Sequence, residues 1–176
     1  MHLARAMLLS CLCALLALTS AVRAETKVEL KGVHLCCPAC AKGVGDILKT
    51  VEGVQGKCDV RAKTVTITAT DDKTAQKALD ALAAGGFHGE TGNADLAMKD
   101  DSGAQKGKVK TLTLTGAHNC CGACCKAIKT TVKKVEGVTD DTAKPKANTF
   151  TVSGDFDAAE LVKALNVAGF HVKVKE

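Results

Sequence analysis

Hydrophobic residues in this chain form one unbroken run and then short rhythms of two and of three-to-four. The run lies between Met7 and Leu18 and holds Leu8, Leu9, Leu12, Leu15 and Leu16. Beyond Glu25, Val28 and Leu30 alternate with polar neighbours, the pattern of a half-buried strand. Val44, Ile47, Leu48 and Val51 then recur at helical spacing as one apolar stripe. Gly53 stands where a helix ends in a left-handed cap. Val60 before a tight turn, and Val65, Ile67 and Ala69 after it, predict a pair of strands. Ala75, Ala78, Leu79 and Leu82 predict a second helix with Asp72 as its N-cap, and Gly86-Phe87-His88 opens a last strand.

The same order then returns. A displacement of 84 residues lays Cys36-Cys37-x-x-Cys40 on Cys120-Cys121-x-x-Cys124, Val51-Glu52-Gly53-Val54 on Val135-Glu136-Gly137-Val138, Gly32 on Gly116 and His34 on His118. A displacement of 83 carries Gly86-Phe87-His88 onto Gly169-Phe170-His171. One unit has been duplicated. In the second copy Leu112 and Leu114 mark the first strand, Ile128, Val132 and Val135 the first helix, Phe150 and Val152 the strand after an enlarged turn near Pro145, and Ala158, Leu161, Val162 and Leu165 the second helix, capped by Asp155 or Asp157. The prediction is an α+β chain of two ferredoxin-like βαββαβ sandwich domains in tandem, at residues 25–91 and 109–176. Residues 92–108 carry little apolar content and read as a solvated linker with a short helical turn near Ala94 to Met98, so the units are expected to behave as beads with limited contact.

The opening run has His2 and Arg5 before it and Val22-Arg23-Ala24 after it, so residues 1–24 read as a secretory signal peptide. At about 12 residues it falls short of the roughly 20 that a bilayer span needs. Leu8-Leu9-Ser10-Cys11 resembles a lipoprotein acylation box, but cleavage there would leave most of the apolar run attached. The expectation is an exported protein, periplasmic or extracellular, with no membrane span in the mature chain. Losing Arg5 and Arg23 from 24 basic residues leaves 22 against 19 acidic ones, a net charge of +3. With neither Trp nor Tyr and no basic cluster, that balance excludes nucleic acid as a partner.

The chemistry is carried by the clustered cysteines. A Cys-x-x-Cys pair where a strand meets a helix sets two sulfurs beside unpaired backbone N–H groups and the helix dipole, which favour thiolate, the metal-binding form. Pro38 suits the first position of such a helix. Cys36, Cys37 and Cys40, and likewise Cys120, Cys121 and Cys124, are candidate ligands to one soft ion per unit: Cu(I) or Zn(II) foremost, Cd(II) or Hg(II) as further candidates.

Gly32-Val33-His34-Leu35-Cys36-Cys37-Pro38-Ala39-Cys40, an amphipathic helix and Val-Glu-Gly-Val together resemble the heavy-metal-associated domains of copper chaperones, periplasmic mercury-binding proteins and metal-transporting ATPase termini. The family's loop reads Gly-Met-x-Cys-x-x-Cys, and the resemblance implies Cys37 with Cys40, and Cys121 with Cys124, as the ion-binding pairs. It also implies a role as metal chaperone, buffer or sequestering protein, with a metal transporter or acceptor protein as partner. Further ligand candidates are His34 and His118 in the loops, His88 and His171 at the last strands, and Cys125, which replaces Ala41. Cys58 shares the parity of Val60 and reads as a core thiol.

Two other accounts use the same residues. Exported thiols meet an oxidising environment, and Cys-x-x-Cys at a helix start is also the arrangement of an extracytoplasmic thiol–disulfide redox protein. Against it, no aromatic residue precedes either pair, and with Pro38 and Pro145 alone the first unit lacks a candidate cis-proline. Structural staples would tie distant segments, whereas these sulfurs crowd into one loop per unit. No nucleophile–base set or phosphate loop is present, so no enzymatic turnover is expected. Asp71-Asp72 and Asp100-Asp101 read as turn and linker charges.

Overall fold

The structure, a computed structural model, describes residues 25–175; the predicted signal peptide and Cys11 lie outside the described residues. The first unit runs β1 (Thr26–Lys31), α1 (Pro38–Leu48), β2 (Val54–Asp59), β3 (Thr64–Ala69) and α2 (Asp72–Ala84). The second runs β4 (Lys108–Thr115), α3 (Gly122–Val132), β5 (Val138–Asp141), β6 (Phe150–Asp157), α4 (Ala158–Val167) and β7 (Lys173–Val174). This is an α+β fold with two antiparallel sheets and four helices among the described residues, the sheets ordered β1-β3-β2 and β5-β6-β4-β7.

The alternating positions pair across the strands. Val28 faces Ile67 and Leu30 faces Val65, and in the second unit Leu112 faces Val152 and Leu114 faces Phe150. Val44 and Leu48 from α1, and Ile128 and Val132 from α3, close over those rows and are buried, as are Leu79, Leu82, Leu161 and Leu165 from the other two helices. Both first helices start at the second sulfur of their loop, with Cys37 and Cys121 extended at the N-cap.

Local details depart from the sequence pattern for identifiable reasons. The cap of α2 is Asp71 rather than Asp72, because Asp71 is extended and its carboxylate accepts the Thr74 N–H at 2.7 Å. Asp157, not Asp155, caps α4 by accepting the Glu160 N–H. Val60 is exposed: β2 ends at Asp59, whose carboxylate accepts the N–H groups of Arg61 and Ala62 and turns the chain before Val60 can face inward. Asn119, at the place of the buried Leu35, explains the enlarged β5–β6 connection. Its side-chain amide N–H groups donate to Lys144 O and Ala147 O, and its backbone carbonyl accepts the Lys146 N–H, tying down the Pro145 segment.

The larger difference lies between the units, which are not separate beads. The segments predicted as last strands meet each other, with Phe87 bridging Phe170 in antiparallel register. Gly169 O accepts the N–H groups of His34 and His88, and Gly86 O reciprocally accepts those of His118 and His171. The two glycines have φ of +82 and +89, and a Cβ would lie 2.2 Å from His118 N at Gly86 and 2.2 Å from His34 N at Gly169. Only glycine permits so close an approach of the two backbones. Diverted into this contact, the fourth strand shrinks to the two residues of β7 in one unit and a single Lys31–Glu90 bridge in the other. The linker is not wholly solvated either: Leu96 and Ser102 are buried, and Ser102 O accepts the Val174 N–H. Phe87 and Phe170 are fully buried, each contributing about 1.5–3 kcal/mol by area.

Candidate metal centre

Docking the units brings their two cysteine loops together. Within each loop Cys40 Sγ lies 3.6 Å from Cys36 and 3.7 Å from Cys37, and Cys124 Sγ lies 3.6 Å from Cys120 and 3.7 Å from Cys121. Between loops the separations are the same: Cys36 to Cys124 at 3.4 Å, Cys36 to Cys121 at 3.8 Å, Cys40 to Cys120 at 3.7 Å and Cys40 to Cys124 at 3.8 Å. Cys40 and Cys124 are buried at the centre, whereas Cys36, Cys37, Cys120 and Cys121 remain accessible. Six predicted sulfurs thus form one group rather than two.

These spacings select a coordination geometry. With a metal–sulfur bond of about 2.3 Å, ligand sulfurs sit about 3.8 Å apart around a tetrahedral ion and about 4.0 Å apart around a trigonal one, but about 4.6 Å apart in a linear pair. Contacts of 3.4–3.8 Å suit three or four sulfurs per ion. All the thiols among the described residues are free, and the sulfur–sulfur distances of the cluster are far beyond the bond of about 2.05 Å in a disulfide.

The metal-free cluster is not uniformly thiol or thiolate. Burial, reinforced by neighbouring sulfurs, pushes Cys36 and Cys120 far up and holds them protonated. Burial also raises Cys124, to about 11. Cys121 is lowered to about 6, chiefly because backbone N–H groups at the start of α3, from Cys124 first, donate to its sulfur. Burial opposes ionisation of Cys40, but the Cys36 N–H and the thiols of Cys36, Cys37 and Cys120 donate to its sulfur and lower its pKa. An entering cation displaces the remaining protons, so uptake is favoured by rising pH.

The histidines are distributed differently from the cysteines. One ring nitrogen of His34 lies within 4.8 Å of Cys36 and Cys124. His34 stacks on Phe170 at 4.3 Å and His118 on Phe87 at 4.1 Å, so each loop imidazole packs on the other unit's aromatic ring. Their Nε2 atoms are buried without a partner. Burial first, then Lys63 and His118, lowers His34 to about 4, which keeps its ring neutral. His88 and His171 turn to each other, Nδ1 to Nδ1 at 3.2 Å, and His171 Nε2 lies 2.7 Å from Asp101, which also pairs with Lys173. Asp101, read from the sequence as a linker charge, is therefore part of the contact. The Cys125 thiol is buried and donates to Ala143 O at 3.5 Å, and the half-buried Cys58 thiol faces Ala41 O at 3.9 Å.

Residues 119–171 match the model of the heavy-metal-associated domain. That segment of the chain is a heavy-metal-associated domain. Solved structures similar to the chain include oxidised MerP from Ralstonia metallidurans CH34, 30% identical over 38% of this chain and 97% of that one, with a TM-score of 0.36. A copper binding domain from HMA7, a P-type ATPase, is 17% identical over 39% and 96%, with a TM-score of 0.36. The N-terminal soluble domains of Bacillus subtilis CopA are 18% identical over 87% and 95%, with a TM-score of 0.32. Among curated proteins no sequence matches the chain. The heavy-metal-associated domain supplies Cys120, Cys121 and Cys124; the other half of the sulfur cluster comes from residues 36–40. No helix among the described residues is long and apolar enough to cross a membrane.

Proposed function

We propose that this protein is an exported carrier of soft metal, taking up thiophilic ions at a site shared by two heavy-metal-associated domains, the second at residues 109–176 and the first at 25–91. The observation that carries this reading is the convergence of six cysteine sulfurs from both loops at 3.4–3.8 Å. Thiolates favour Cu(I) and also accept Zn(II), Cd(II) and Hg(II), whereas among the described residues the groups close enough to share an ion include no carboxylate that would suit a hard cation. The duplicated sequence, with its repeated Gly-x-His and Gly-Phe-His motifs at the contact, supports a second domain of the same kind. Export rests on residues 1–24, and the role is delivery, buffering or sequestration without chemical turnover. A transporter or acceptor protein exchanging metal through the accessible Cys36, Cys37, Cys120 and Cys121 is the matching partner.

Metal analysis of the reduced, purified protein tests this. Retention of Cu(I) or Zn(II) through gel filtration is the expected result. Metal-free protein that catalyses disulfide reduction or reshuffling would instead establish the redox alternative.

A further inference from the structure

The sulfurs of the two loops close into more than four triangles, Cys36–Cys121–Cys124 and Cys40–Cys120–Cys124 among them, and one set of four uses every sulfur equally without sharing an edge. Cys36, Cys37 and Cys121 make one, Cys37, Cys40 and Cys120 a second, and Cys120, Cys121 and Cys124 a third, each with all its sulfurs within 4.8 Å. Cys36, Cys40 and Cys124 make the fourth, with sides of 3.6, 3.8 and 3.4 Å. Each of the six sulfurs belongs to two of these four triangles. All eight sulfur–sulfur contacts of 3.4–3.8 Å fall on the twelve edges of this set; the other four edges, Cys36–Cys37, Cys37–Cys120, Cys37–Cys121 and Cys120–Cys121, lie within 4.8 Å, and the three pairs outside the set, Cys36 with Cys120, Cys37 with Cys124 and Cys40 with Cys121, have no such contact. That is the connectivity of an octahedron of sulfurs whose alternate faces are each open to one three-coordinate ion.

We propose that the shared site holds a polynuclear Cu(I)–thiolate cluster of about four ions, each bound by three sulfurs and each sulfur bridging two ions. The proposal rests on the soft-metal reading above and adds nuclearity and metal. A single ion would use three or four of the sulfurs and leave the others as thiols at 3.4–3.8 Å from bound thiolate. Two ions, one per loop, would leave the contacts between loops without a role. Bridging uses all six. As each Cu(I) enters, S–H bonds break, Cu–S bonds form and the protons pass to solvent, with no change in the oxidation state of copper or sulfur. About four monovalent cations against six thiolates leave a core of low net charge, which the half-buried position tolerates. Zn(II) and Cd(II) prefer four sulfurs each, so faces of three suit Cu(I) better than either.

The test is an anaerobic titration of the reduced protein with Cu(I) in the presence of a competing Cu(I) chelator. Native mass spectrometry counts the ions, and red luminescence and metal–metal scattering in X-ray absorption report bridging. Cooperative uptake of about four ions with both signals is expected. A plateau at one or two ions without metal–metal scattering overturns the cluster and leaves the soft-metal function standing; no uptake at all overturns both. Cys36→Ser removes a sulfur shared by two triangles and should lower the number of ions bound and quench the luminescence, and unchanged loading would contradict the proposal. If circular dichroism shows that variant unfolded, Cys37→Ser gives the same readout. Cys58→Ala, outside the cluster, should load as the parent does.

Discussion

The contact between the two units has a cysteine part and a histidine part, built from matching sequence motifs and finished in opposite ways. At His88 and His171 each unit's polar groups find partners: the rings face each other, and Asp101 and Lys173 complete the set. At the cysteine loops the only side chains that the clustered sulfurs bond among the described residues are one another, and the adjoining His34 and His118 each keep a buried nitrogen without a partner. Leaving buried polar atoms unsatisfied costs about 1–3 kcal/mol each. The histidine part is therefore a finished structural joint, and the cysteine part is left open. The joint holds two half-sites in register.

The sharpest way to break that relation is at the joint. Gly169→Ala puts a Cβ 2.2 Å from His34 N at a φ of +89, so it should lower unfolding stability in urea by at least about 3 kcal/mol and separate the loops, with metal uptake weakened although every cysteine remains. Cys40→Ser acts on the other part alone. It removes a sulfur that touches Cys36, Cys37, Cys120 and Cys124, and soft-metal affinity in chelator competition should fall by more than roughly 100-fold, while the buried hydroxyl costs the metal-free protein about 1–3 kcal/mol in urea.

Acid should loosen the histidine part. Burial first, and His171 second, lower His88 to about 4 from an ordinary 6.5, so between those values the folded state binds fewer protons than the unfolded one. The stability held in the neutral ring is complete above about pH 6.5 and is lost as pH falls towards 4. The urea midpoint of the metal-free protein should drop across that window, and His88→Gln should flatten the slope. The smallest effect is expected for Asp101→Asn, which weakens a half-exposed ion pair with Lys173 by about 0.5–1 kcal/mol without changing metal affinity.

Much of each unit was legible in the sequence because its elements are specified locally. The pairs Val28–Ile67 and Leu112–Val152 follow from alternation, and Pro38 marks the start of its helix. The cysteine loops were legible as chemistry for the same reason. What did not show was that the two loops face each other, since periodicity within a unit carries no information about docking between units. A signal was nevertheless present. All four histidines beyond residue 24 repeat, two of them immediately after a Gly-Phe pair, and those glycines are the ones whose missing Cβ lets the backbones meet. Read one unit at a time, the histidines suggest ligands. Read as a pair, they mark the joint. The linker misled through composition: Asp101 pairs with His171 and Lys173 of the second unit, and the buried Ser102 hydroxyl bonds Asp100 and Ala104 within the linker while its backbone carbonyl accepts the Val174 N–H.

The central claim is that both loops contribute to one site, and replacing a single loop tests it most directly. With Cys36, Cys37 and Cys40 all changed to Ser, Cu(I) capacity and affinity are measured by chelator competition against the parent. A shared site predicts that capacity falls to at most the one ion that Cys120, Cys121 and Cys124 can hold, bound more weakly than in the parent because no sulfur of the other loop bridges to it. Retention of half the capacity at the parent's affinity would show two independent sites and contradict the account.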